Sequence, residues 1–223
     1  MDERSPPAQV LCCSWSGGKD GCLALHRAVA AGGRLACLVT MFTEDSERSR
    51  SHGLSRRVLE AQAEAMGVPL LSASATWDEY EVALVGLLMR ARQHGADAAV
   101  FGDIDIPHHR QWEERVSQLA GLTARLPLWQ ADRLALLEEG WAAGIESRII
   151  VARDGLVDRR YLGRILDRTT AKELAATGID PCGENGEFHT IVTAAPLFRR
   201  PIRLRLGEQL LKSGCWFQDV ELT

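Results

Sequence analysis

The sequence predicts an α/β fold: a doubly wound parallel sheet followed by a second, smaller α/β domain. Three observations carry this. Short stretches of the first half are apolar throughout, stretches with helical periodicity separate them, and the rhythm breaks near residue 125. Strands without polar alternation belong to sheets covered on both faces, and helices of this length between them serve as parallel crossovers.

Taken in order, residues 10–15 read as the first buried strand and residues 22–31 as a helix, stopped by Gly32 and Gly33. Residues 35–41 form a second continuous apolar run. Leu54, Val58, Leu59, Gln62 and Met66 share one stripe of the next helix, which Gly67, Val68 and Pro69 close. Residues 70–73 follow as a strand, then a long helix from about Asp78 to His94 capped by Gly95, and residues 97–102 as a further buried strand. Residues 127–129, a helix around 132–143 and the run 148–152 are compatible with an extension of this sheet. Beyond them lie the glycine-rich segment 182–187 and two β-rich runs, 188–193 and 201–206. The expected division is 1–124 and 125–223, with ligands at the carboxyl ends of the first sheet's strands.

Composition narrows the class. The chain has 223 residues, 46% of them hydrophobic, enough for one large domain or two modest ones sharing a cleft. Charged residues make up 25% and the net charge is −4, which speaks against a nucleic-acid binder driven by electrostatics. Residues 1–7 lack the basic start and apolar core of a signal peptide, and no window approaches the roughly 20 apolar residues of a membrane span. The six cysteines contain no C-x-x-C pair, and several sit in apolar runs as reduced core residues do. The expected location is the cytoplasm.

Ser16, Gly17, Gly18, Lys19, Asp20 and Gly21 lie directly between a buried strand and a helix. Glycines let backbone approach phosphate oxygens, and amides at a helix start point toward them. Lys19 adds a point charge and Ser16 a hydroxyl donor. Asp20 repels bare phosphate, so it needs Mg²⁺ or an amide to face it. The pattern is not the Walker loop G-x-x-x-x-G-K-[ST]. The plain alternative is a Gly-Gly turn with Asp20 as N-cap.

Residues 16–20 resemble the pyrophosphate-binding loop of the N-type ATP pyrophosphatases, a class that includes GMP synthetase, argininosuccinate synthetase and tRNA thiolases. Within that class the chain resembles the diphthine–ammonia ligase family. The matching segments are 39–44, 51–53, 59–70, 102–104, 127–129, 161–164 and 183–190, in the family's order. The resemblance implies a Rossmann-like nucleotide fold in which ATP is split to AMP and pyrophosphate. AMP passes to a substrate carboxylate, and ammonia displaces it to leave an amide. In the family the carboxylate belongs to diphthine, a modified histidine of an elongation factor. Gly21 stands where many relatives carry Ser or Thr, and Asn185 and His189 stand where eukaryotic and archaeal members carry Gly and Glu.

On that basis Lys19, Glu184, Asn185 and Glu187 are the candidate catalytic residues. Glu184 and Glu187 are expected on the substrate side, holding ammonium or taking the proton of the amine, with Asn185 donating to an oxygen that gains charge. ATP and Mg²⁺ are the expected cofactors, with Asp20 the candidate magnesium ligand. The nucleotide is expected on residues 16–21, His52, Gly53, Gly102 and Asp103, and its adenine beside Thr40 and Met41. Arg164, His189 and Thr190 are candidates for the substrate. Asp103, Asp105, His108 and His109 form a D-x-D-x-x-H-H string that suits either a divalent cation or a loop and helix N-cap with exposed histidines, and the histidines carry no assigned role. The partners expected are the nucleotide, ammonia and an acceptor carboxylate on a protein side chain or a metabolite. Neither membrane nor nucleic acid is expected, and a homodimer is left open. A tRNA thiolase predicts cysteine pairs and a basic face, which the sequence lacks; a nucleotide-binding regulator predicts the loop without the acidic 183–190 motif.

Overall fold

The computed structural model describes residues 8–223; residues 1–7, where the sequence shows no leader pattern, lie outside them. The first unit alternates β1 (Val10–Ser14), α1 (Lys19–Ala30), β2 (Arg34–Phe42), α2 (Arg56–Met66), β3 (Leu70–Ser74), α3 (Tyr80–Gln93), β4 (Ala98–Val100), α4 (Pro107–Leu119) and β5 (Thr123–Arg125). Its five-stranded sheet runs β3-β2-β1-β4-β5 and is parallel throughout. Alternate residues of the buried strands feed different layers. Leu11, Cys13 and Leu38 join one apolar cluster, while Cys12, Cys37 and Val39 join the other. Strand order reverses at β1, so the crevice beyond the carboxyl ends of β1 and β4 is the place where ligands bind in such sheets.

The run 148–152 does not extend this sheet. It forms the centre of β6 (Glu146–Arg153), which pairs antiparallel with β7 (Phe188–Ala194) and β9 (Cys215–Leu222). With β8 (Leu204–Lys212) they make a four-stranded sheet of order β7-β6-β9-β8, accompanied by α5 (Arg133–Ala142) and α6 (Arg168–Ala176). The strand expected from residue 201 begins at Leu204 and continues to Lys212. Ser213 and Gly214, both at positive φ (49° and 77°), turn it into β9, as a two-residue hairpin with right-handed strand twist requires.

One apolar cluster runs through both units, joining Leu25 and Leu54 to Ile149, Val151 and Ile191. Arg27 of α1 ties the units further, bonding Glu139 of α5 and the Pro127 carbonyl. No described helix is long and apolar enough to cross a membrane.

Candidate functional site

The glycine loop fills the gap between β1 and α1. Gly18 is the N-cap in extended conformation (φ −89°, ψ 173°) and Lys19 opens the helix, so Asp20 lies in the first turn and caps nothing. Gly17 sits at φ 87°, in the left-handed region, and a Cβ there would stand 2.7 Å from Leu54 Cδ1 and 2.9 Å from Gln62 Oε1.

Gln62 lies fully buried beneath this turn. Its Nε2 donates to the carbonyls of Gly17 (3.2 Å) and Val192 (2.9 Å), and its Oε1 accepts from Trp15 Nε1 (2.8 Å). From the side, the Val192 N–H donates to the Gly17 carbonyl at 2.8 Å and the Lys19 N–H to Thr190 Oγ1 at 3.1 Å. Both strand β7 and helix α2 therefore fix the loop. The sequence reading gave Gln62 no role; a lone amide at a core position of an apolar stripe was the available signal.

The loop opens on a cleft of about 550 Å³. Ser16, residues 18–21 and His52 form one wall, Ile106, His108 and His109 at the start of α4 another, and residues 183–186 with Phe188, His189 and Thr190 the third. Lys19 Nζ bonds both oxygens of Asp20 at 2.7 Å and lies 3.7 Å from Cys182 Sγ. Burial works against its ammonium form, but Asp20 foremost, with Glu184 adding, outweighs that and raises its pKa above the ordinary lysine value. Burial likewise pushes the Cys182 thiol up to about 12, so it is neutral.

Glu184 Oε1 accepts the Ile104 N–H at 3.0 Å. Burial foremost, with Asp20 and Asp103 adding, raises its carboxyl to about 7 against the pull of that N–H and of Lys19. The His52 and His189 rings stand 4.6 Å apart. Burial, then Lys19, lowers His189 to about 4; burial, then His189 and Lys19, holds His52 well below the usual histidine value. Both rings are neutral at pH 7, and His52 Nδ1 is buried without a partner among the described residues.

Several expected site residues serve the cleft from behind. Glu187 does not line it; its carboxylate accepts the Asn185 backbone N–H (3.0 Å) and Nδ2 (3.2 Å) and so shapes the 183–186 turn. Gly102 lets β4 approach α1, since a Cβ would meet Gly21 N at 2.6 Å. Gly53 packs beneath Phe217, whose Cδ1 lies 2.9 Å from where a Cβ would be, so its smallness serves the packing against β9. Arg164 lies outside the cleft, satisfied by Glu173 and Thr170 Oγ1. Asp105 is turned onto Arg133. Asp103 is engaged by His109, and no group of three or more His, Cys, Asp or Glu among the described residues is arranged to hold a metal ion. Thr40 Oγ1 donates to the Trp15 carbonyl at 2.5 Å, and Thr40 and Met41 line a separate recess of about 60 Å³ with Ser16, Arg50 and Tyr80.

Residues 10–124 match the family described as the diphthamide synthase N-terminal domain, and residues 132–221 its C-terminal domain. Among curated proteins, the chain is 26% identical to the diphthine–ammonia ligase of Rattus norvegicus, over 92% of this chain and 86% of that one. It is 28% identical to the diphthine–ammonia ligase of Danio rerio, over 92% and 90%. A solved structure described as a predicted subunit of tRNA methyltransferase from Methanocaldococcus jannaschii is similar at a TM-score of 0.45 and 13% identity, covering 84% of this chain and 97% of that one.

Proposed function

The chain belongs to the diphthamide synthase family, and from that premise we propose that it is an ATP-dependent ligase that adenylates a diphthine-type carboxylate and converts it to an amide with ammonia. The observation that carries the reading is the meeting of two unlike walls in one cleft. The helix-start amides and Lys19 suit a polyphosphate, while Glu184 and Asn185 opposite suit an amine and a developing oxyanion.

In this reading Ser16 and the amides of Gly18, Asp20 and Gly21 hold the departing pyrophosphate, and Lys19 supplies the charge. The recess beside Thr40 and Met41 takes the adenine, with His52 between it and the phosphates. Asp20, about a third exposed at the cleft, offers one carboxylate. Magnesium in nucleotide sites takes one or two carboxylates together with phosphate oxygens and waters, so this donor set fits an ion that arrives with ATP. When bound, it would neutralise charge on the leaving pyrophosphate. Glu184 holds the ammonium ion by its charge, Asn185 donates to the carboxyl oxygen under attack, and His189 and Thr190 face the acceptor. Glu187, Gly102 and Asp103 act through these residues.

The test is titration calorimetry with magnesium and ATP on the native protein and on Lys19→Ala, followed by chromatography of the nucleotides after turnover. We expect at least tenfold weaker binding by the variant and AMP with pyrophosphate as products. Equal affinities, or ADP as the main product, would refute the reading.

A further inference from the structure

His109 stands in the first turn of α4, which Pro107 opens, and lines the cleft. Its Nδ1 meets Asp103 Oδ1 at 2.6 Å, and its Nε2 has no hydrogen-bond partner among the described residues. Behind Asp103 lies Glu113, one turn further along α4 and only 4% exposed, with its Oε2 buried and without a hydrogen-bond partner among the described residues. Burial first, then Asp103, pushes Glu113 up to about 11, so at neutral pH it is a neutral acid beside Asp103. A carboxylate on Nδ1 fixes the tautomer in which Nε2 carries a free lone pair. The order from core to cleft is acid, carboxylate, imidazole.

Resting on the ligase reading, we propose that His109 is the proton acceptor of the amide-forming step, with Asp103 and Glu113 as positioning residues. The nitrogen of ammonia bonds to the carbonyl carbon, and the C–O bond to AMP breaks with its electron pair going to the phosphate oxygen. The ammonium ion loses two protons: Nε2 takes the first before attack, which frees the nitrogen lone pair, and the second leaves the nitrogen for water as the amide forms. Because the His109 side chain is 47% exposed, it can pass the first proton to water before the next turnover. Glu184 is less suited to this task. One of its oxygens is committed to Ile104, and its negative charge is what retains the ammonium ion. The groups that set the His109 environment are Asp103, Glu113 and His108, whose ring lies 4.6 Å away, together with Lys19, Asp20 and Glu184 across the cleft.

The experiment uses an elongation factor bearing diphthine as acceptor and compares the native enzyme with His109→Gln, Asp103→Asn and Glu184→Gln. ATP–pyrophosphate exchange reads adenylation alone. Amide formation with ammonium chloride, and hydroxamate formation with hydroxylamine, read the second step. For His109→Gln we expect exchange and the KM for ATP within about twofold of native, and kcat with ammonia reduced by roughly 10²–10⁴-fold at pH 7. The acid limb of the kcat profile should vanish. Hydroxylamine, which is already neutral at this pH, should recover most of the rate. Asp103→Asn should lower kcat less and shift the limb. An unchanged ammonia rate and limb in His109→Gln, or a limb that disappears only in Glu184→Gln, would overturn the proposal. A native enzyme without exchange would overturn the ligase reading, and this inference with it.

Discussion

Replacing Gln62 by methionine keeps side-chain length and helix propensity while deleting the amide that braces the glycine loop. Three hydrogen bonds go: Trp15 Nε1 to Oε1, and Nε2 to the carbonyls of Gly17 and Val192. The Gly17 carbonyl keeps the Val192 N–H at 2.8 Å, so it is not orphaned. The Trp15 indole N–H, in a residue only 2% exposed, is. An orphaned buried donor costs about 1–3 kcal/mol and each lost neutral bond nets about 0.5–1.5 kcal/mol, so the variant should lose roughly 2–5 kcal/mol. That is a large share of the ~5–15 kcal/mol that holds a typical domain together. At about 2–4 °C per kcal/mol for a chain of this size, the melting temperature should fall by roughly 4–20 °C. Circular dichroism during heating measures it, and calorimetry well below the melt should show ATP binding about tenfold weaker. Gln62→Glu should be at least as damaging, because it can accept from Trp15 but cannot donate to either carbonyl. A melt within about 2 °C of native, with unchanged ATP affinity, would show that Gln62 does not set the loop.

Gly18→Ala meets no backbone strain, since φ is −89°, but its Cβ would lie 2.7 Å from His52 Nε2 and 3.3 Å from the Thr190 carbonyl. ATP affinity should drop about tenfold and return in Gly18→Ala/His52→Ala; calorimetry that finds no rescue would show that His52 is not the obstacle. Glu113 has its folded pKa raised to about 11 from the usual 4.5, so the stability it contributes is complete below 4.5 and is lost as pH rises toward 11. Glu113→Gln should therefore gain on the native protein as melts are taken at pH 5, 7 and 9, and a constant difference would mean that Glu113 is ionised throughout.

The parallel sheet was legible because its central strands are buried on both faces and glycines mark the helix ends. Strand β5 left no trace: Thr123, Ala124 and Arg125 form a three-residue edge with exposed ends. For helix α4 only a helix N-cap is legible, because its body is polar and Pro107 marks a helix start as well as a loop. Only the start of strand β8 was legible, because from Arg205 onward it is exposed on both faces and no alternation marks its length. The same physics divides the site. Residues 16–21 and 183–186 are short contiguous motifs whose spacing is already their geometry. Gln62, Glu113 and His109 act through tertiary proximity, and the His109–Glu113 spacing acquires meaning only once α4 is known to be a helix.

The two walls of the cleft are coupled through Lys19. Its ammonium is bonded to Asp20, and its charge also holds down the pKa of Glu184, whose carboxyl nonetheless reaches about 7. On the ligase reading, a polyphosphate at the loop draws on that same positive charge. Glu184 and Asp20 are then less compensated, and the affinity of their side of the cleft for a cation rises. Coupling of this kind is reciprocal, so ammonium bound at Glu184 must strengthen nucleotide binding by the same factor. On the ligase reading the partly buried pair of Lys19 and Asp20 thus makes the two sides of the cleft cooperative, so that nucleotide and ammonium are each held better when the other is present.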